Sequence, residues 1–199
     1  GVSLNRSGDF KNSINYLKKA RTIMPRNADV YIALGCSYFQ LGDKRAAIEN
    51  YRTALKYSTK PAGKAYVFLC IAVIYNEAGN RDYAIIILNK AQQLDPNNAY
   101  IHFQLGAVQI EKALGMYNKL YSIHGFKIGM VDGKFLQGII QAGIASLNCA
   151  GQICSELKPS IDKLIKDFNE NELVLSLGLT ITRHDGKIEF INAIPVKHS

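Results

Sequence analysis

None of the four cysteines of this chain, Cys36, Cys70, Cys149 and Cys154, belongs to a C-x-x-C pair, and no histidine stands at ligand spacing beside them. A metal site is therefore not expected. The thiols read as small buried hydrophobes, which favours a reducing compartment such as the cytoplasm while leaving the cell envelope open. His102 reads as a packing residue, and His124, His184 and His198 lie near turns or the terminus. No phosphate loop, nucleophile elbow or paired-carboxylate signature occurs, so no catalytic residue, enzymatic activity or cofactor is assigned. Long apolar runs are missing too. The nearest candidate, residues 135–154, is interrupted by Gly138, Gln141, Gly143, Asn148 and Gln152, and a soluble helix is expected there rather than a membrane span. No secretory leader is visible, and because the chain opens inside a repeat, native residues can precede Gly1.

What is present is apolar and unevenly charged. Apolar residues make up 48% and charged residues 20%, which excludes general disorder. The net charge of +8 resides in residues 1–64, with 12 basic and 4 acidic side chains, whereas residues 65–199 hold 12 of each. Lys18, Lys19, Lys44 and Arg45 exemplify a basic surface. A solvated face is the plain reading of it, and an acidic protein partner or a membrane-surface contact is the functional one; nucleic acid is not expected.

The residues recur. In 65–98, Phe68, Ile71, Ala72 and Tyr75, then Ala84, Ile87, Leu88 and Ala91, keep helical spacing on either side of Gly79-Asn80. Tyr31, Leu34, Gly35, Tyr38, Gly42-Asp43, Ala47, Tyr51 and Ala54 carry the same pattern 37 residues earlier. Gly8-Asp9-Phe10, Ser13, Leu17, Ala20 and Pro25 carry its second half, and Ala99, His102, Leu105 and Gly106 restart it. Helical hairpins of this length bury their apolar faces only by stacking on neighbours.

This pattern resembles the tetratricopeptide repeat family over about residues 1–114, with small residues at helix crossings (Gly35, Ala47, Ala72, Ala84), aromatics between them, and Pro25 and Pro96 closing repeats. It departs from the family in lacking tryptophan, whose position Tyr31, Phe68 and His102 take, and in Ser13 replacing alanine. The spacing exceeds the family period by three residues, which are expected to be absorbed between helices at Pro61-Ala62-Gly63. The resemblance implies an α-solenoid whose first helices line a concave groove. The groove positions here are Ile32, Cys36 and Phe39, then Tyr66, Leu69 and Val73, then Tyr100, Phe103 and Ile110. They are mostly apolar, unlike the lysine and asparagine of family members that clamp a peptide carboxylate. A hydrophobic helix or strand is expected in such a groove, supplied by a partner or by the chain's own second half.

The second half, residues 115–199, is read as a helical segment ending in a β-hairpin. Residues 117–123 are expected to finish a fourth hairpin shortened or bent by Gly115 and Gly125, and Val131-Asp132-Gly133-Lys134 to be a turn, between helices or between strands. Leu136, Ile140, Ile144, Leu147, Ala150, Cys154 and Leu157 then run at helical spacing, and a short helix after Pro159 carries Ile161, Leu164, Ile165 and Phe168 on one face. Residues 172–196 alternate around His184-Asp185-Gly186-Lys187 as a hairpin, which must lie on a helix, extend a sheet or pair with another molecule. The fold class is mainly α. The function expected is a scaffold or chaperone-like adaptor for another protein; the alternative is an enzyme or ligand sensor whose C-terminal α+β segment carries the activity while the repeats recruit substrate.

Overall fold

The computed structural model describes residues 8–124, 130–170, 179–185 and 187–192, in two compact units, 1–96 and 97–199. The first helix expected at Gly1, and Leu173, Leu175, Leu177 and Ile194 of the hairpin, lie outside the described residues.

The first unit holds α1 (Phe10–Ile23), α2 (Ala28–Gln40), α3 (Lys44–Tyr57), α4 (Pro61–Glu77) and α5 (Arg81–Leu94). α2 pairs with α3 and α4 with α5, while α1 packs on α2 as a second helix does on the next repeat. The turns arise from Gly-Asx. Gly42 and Gly79 sit at φ +81° and +79°, open to glycine at no steric cost. The adjoining Asp43 and Asn80 donate their backbone N–H back to Tyr38 and Tyr75 at 2.9 Å each, closing the helix just ended. Their side chains then accept from Ala46 N–H (2.9 Å) and Tyr83 N–H (3.3 Å), capping the helix about to start.

Small residues set the helix crossings. Ala47 and Ala84 are fully buried and Ala72 almost so. A Cβ on Gly35 would stand 2.5 Å from the Tyr51 ring, so α2 and α3 approach this closely only because that atom is missing. Ser13 is buried as well, its hydroxyl 3.2 Å from that of Ser37, which donates to Ala33 O at 2.9 Å. The pairing explains how a hydroxyl is tolerated where the repeat pattern asks for alanine. Replacing Ala84 by leucine is expected to overpack this core and destabilise it by roughly 1–3 kcal/mol in thermal unfolding.

The three extra residues are not the linker that their turn-forming types suggest. Pro61 opens α4 and Ala62 and Gly63 continue it, making α4 17 residues against 13 for α2. Proline at the first helical position loses no intrahelical hydrogen bond, so it starts the helix instead of interrupting it.

The second unit begins with α6 (Ala99–His124) and α7 (Met130–Ile153), which pack on each other. Two more expectations are corrected by these helices. α6 runs through Gly115 for 26 residues, so 117–123 prolong the first helix of this hairpin and do not form its second. Residues 131–134 lie inside α7 and make no turn, one glycine being a tolerable loss within so apolar a helix. The helices meet at glycines: a Cβ on Gly106 would stand 2.7 Å from Gly143 O and from Leu147, and one on Gly143 would stand 3.0 Å from Gly106 O. Leu136, Ile140, Ile144, Leu147 and Ala150 are buried along α7, as their spacing indicates. A 3-10 turn (Ser155–Leu157) leads to α8 (Lys158–Asn169), which buries Ile161 and Phe168.

β1 (Leu179–His184) and β2 (Lys187–Asn192) pair antiparallel from Leu179↔Asn192 to His184↔Lys187, with Asp185 at φ +48° in the turn, as a tight Asp-Gly hairpin requires. The hairpin lies on a helix. The Asn148 side chain on α7 accepts from Ile188 N–H at 2.7 Å and donates to Ile188 O at 2.9 Å, satisfying both backbone groups of one strand residue whose side chain enters the core. Among the described residues, no helix is long and apolar enough to cross a membrane.

Candidate functional site

Within the first unit, α2 and α4 are the first helices of successive repeats, and they carry the groove positions. Ile32, Cys36 and Phe39 on α2 and Leu69 and Val73 on α4 are half-buried, and Tyr66 is 44% exposed. Partly accessible apolar side chains on two such helices, beside a core already filled by Leu34, Ala47, Ala72 and Ile74, leave apolar surface to water.

In the second unit the positions diverge. Tyr100 is exposed, but Phe103 packs against the α6–α7 core and Ile110 is 1% exposed within it. The expectation for Ile110 is therefore corrected. Glycine at 106 and 143 draws α7 onto this side of α6, and Ile110 is covered by it. His102 is buried, as a packing residue should be, with Nε2 3.5 Å from Cys149 Sγ, a contact between residues 47 apart that spacing alone does not suggest.

The basic residues divide likewise. Lys18 and Lys19 are exposed, Lys19 Nζ standing 5.8 Å from the Tyr16 ring centroid. Lys44 pairs with Glu77 at 3.0 Å and Arg45 with Glu49 at 3.4 Å, so half of this surface is balanced by the chain's own carboxylates. Exposed pairs of this kind add little stability but reduce the field a partner would meet.

One cluster is announced by no sequence motif. Tyr51 O–H donates to Cys36 Sγ at 3.3 Å, and Cys70 and Tyr66 are the other groups that act on the ionisation of this thiol. The Cys70 hydrogen bond chiefly holds the Cys36 thiol down at about 6, with the two phenols adding to it against the opposing effect of burial. Cys70 is pushed up by its interaction with Cys36 and by burial; Tyr51 is pushed up by burial and then by the two thiols, Tyr66 first by its electrostatic coupling to Cys70 and then by burial. The available signal is arithmetic. The cysteines lie 34 residues apart in a repeat whose phase is 37, which puts Cys70 about one turn further from the end of its helix than Cys36.

The linkage has a definite sign. Between about 6 and the ordinary thiol value of 9.0 the unfolded chain holds a proton on Cys36 that the folded chain has released, so stability should rise with pH across that window and be lost as pH falls through 6. Urea unfolding of the reduced protein at stepped pH should show the rise, and Cys36→Ser should flatten it.

The comparisons agree with this architecture. The tetratricopeptide repeat family model matches residues 28–61 and 65–98, leaving residues 62–64, in the first turn of α4, between the two matches. Human protein IFIT1 homolog B is 31% identical over 94 residues, covering 47% of this chain and 19% of that protein. Among solved structures, a monomeric IFIT1 mutant with m7Gppp-AAAA aligns with TM-score 0.62, and the human IFIT1 dimer with m7Gppp-AAAA with TM-score 0.60. Each is 20% identical and covers 89% of this chain and 37% of its own, a likeness of fold. The chain thus spans about a fifth of its curated relative and little over a third of those structures. The family model thus identifies two tetratricopeptide repeats within residues 28–98.

Proposed function

We infer that the chain is a non-catalytic protein-interaction module, a scaffold or chaperone-like adaptor of a larger assembly, and that the face carried by α2 and α4 takes an apolar helix or strand from a partner. The observation that carries this reading is the set of half-exposed apolar residues Ile32, Phe39, Leu69 and Val73, with Tyr66 exposed beside them. An apolar segment removes that surface from water, and the aromatic groups at Phe39 and Tyr66 supply large contact area at small entropic cost. Lys18 and Lys19 add a preference for acidic flanks on the partner. Tyr100 offers a separate contact on the second unit.

A second reading comes from the relatives, since IFIT1 is solved with m7Gppp-AAAA and residues 1–64 of this chain are basic. The apolar residue types on α2 and α4 favour a peptide over that ligand. Selection from a displayed peptide library on the folded chain tests the choice, beside a titration with m7Gppp-AAAA. Enrichment of apolar, amphipathic peptides without saturable oligonucleotide binding is expected. Saturable oligonucleotide binding that Lys18→Glu and Lys19→Glu abolish, with no peptide enriched, would overturn it.

A further inference from the structure

At one end of the first unit the α1–α2 and α3–α4 links lie side by side. Tyr31, near the start of α2, donates its O–H to Pro25 O at 2.8 Å and sets its ring 5.7 Å from that of Tyr57, the last residue of α3. The hydrogen bond and the ring contact join the two links into one surface. Its charge is almost all of one sign: residues 21–31 and 52–64 hold six basic side chains and one acidic, Asp29. At the opposite end of α3, Lys44 and Arg45 are paired with Glu77 and Glu49. Among the described residues, Arg26, Lys56 and Lys60 join no such pair, and all three are exposed. Lys56 Nζ stands instead 5.7 Å from the Tyr57 ring centroid.

Apolar side chains stand out among these cations. Ile23 is 80% exposed and Met24 44%, so neither contributes much to the core. A side chain as open as Ile23 has no walls around it, whereas the anchor residues of a peptide partner are held in well-packed pockets. Single-stranded nucleic acid would meet the same charge but stacks its bases on open aromatic faces, and Tyr31 and Tyr57 are half-buried against each other. A bilayer surface needs neither pocket nor platform. It takes isolated aliphatic side chains at the acyl boundary while its anionic headgroups meet the surrounding cations.

We propose that this end of the first unit docks on the surface of an anionic membrane, with Ile23 and Met24 entering the interface and Arg26, Lys56 and Lys60 meeting the lipid headgroups. The inference does not rest on what the α2 and α4 face binds. Each cation near such a surface contributes about fivefold in affinity, and the attraction falls off within a screening length. The two aliphatic side chains add an insertion that charge alone does not give, but they are too few to anchor the chain permanently. Docking of this kind is reversible and strongly dependent on salt and on the fraction of anionic lipid.

The test incubates the folded chain with vesicles of phosphatidylserine mixed into phosphatidylcholine, and with vesicles of phosphatidylcholine alone, and reads binding by co-sedimentation. Binding to the anionic vesicles only, weakening steeply with added salt, is expected. Lys60→Glu should lower it by an order of magnitude or more, because reversal counts as two charges. Lys90→Glu, the same change at an exposed position of α5, should lower it less. An acidic group just before α4 suits the start of that helix, so the first variant should fold normally. The chain has no tryptophan, so Ile23→Trp adds a single reporter, whose emission should shift to the blue on anionic vesicles. Equal binding to neutral vesicles, no binding to anionic ones, equal losses from the two reversals, or a reporter that still emits as in water while the chain is bound would each overturn the proposal. Saturable binding of an oligonucleotide or of polyglutamate by a chain that leaves the vesicles unbound would overturn it as well.

Discussion

Truncating Tyr51 to alanine should destabilise the first unit by about 3–5 kcal/mol, the range for deleting a large buried aromatic. The ring is 2% exposed and fills the space opened by Gly35, so no neighbour is placed to collapse into the void without moving the α2–α3 crossing. The same change removes the O–H bonded to Cys36. Tyr51→Phe separates the two effects: it keeps the ring and should cost much less, while moving the Cys36 ionisation up. Denaturant unfolding of both variants, with alkylation rates at stepped pH, reads the two quantities independently. Equal costs for alanine and phenylalanine would show that the hydroxyl, not the packing, holds this crossing.

In the second unit the corresponding change is Leu147→Ala, expected to cost about 2–5 kcal/mol. Leu147 is fully buried on α7 and would be struck by any Cβ placed on Gly106, so it occupies the gap that glycine leaves. It also belongs to the cluster that joins Ile110, Ile161, Phe168 and Ile188, through which α8 and the hairpin are held on α7. The loss should therefore reach the hairpin. Amide exchange at Ile188, whose N–H is held by Asn148 at 2.7 Å, should accelerate in the variant.

The repeats are legible in the residues because each rests on local chemistry that the residue types encode. Gly42 and Gly79 need positive φ, Asp43 and Asn80 cap the second helix of each hairpin, and Ala47 and Ala84 recur where helices cross. The hairpin at Asp185 is legible for the same reason. Helix ends without such signals are not. Gly63, Gly115 and Gly133 resemble turn-formers in sequence, yet each lies inside a helix, because flanking apolar residues held by tertiary packing outweigh a glycine's intrinsic cost. The α6–α7 pairing that buries Ile110 depends on Gly106 meeting Gly143, residues far apart in the chain, and the thiol cluster depends on the shift between a spacing of 34 and a phase of 37. Both are properties of the packed helices more than of any segment.

The claim that α2 and α4 present a partner-binding face is tested most directly by Leu69→Asp, measured for thermal stability and for binding of a peptide selected on the wild-type chain. Leu69 is half-buried, so a carboxylate there keeps access to water and the fold should survive with nearly unchanged stability, while peptide binding falls by an order of magnitude or more. A loss of several kcal/mol in stability would mean that the chain itself covers this face, and unchanged binding would mean that no partner uses it.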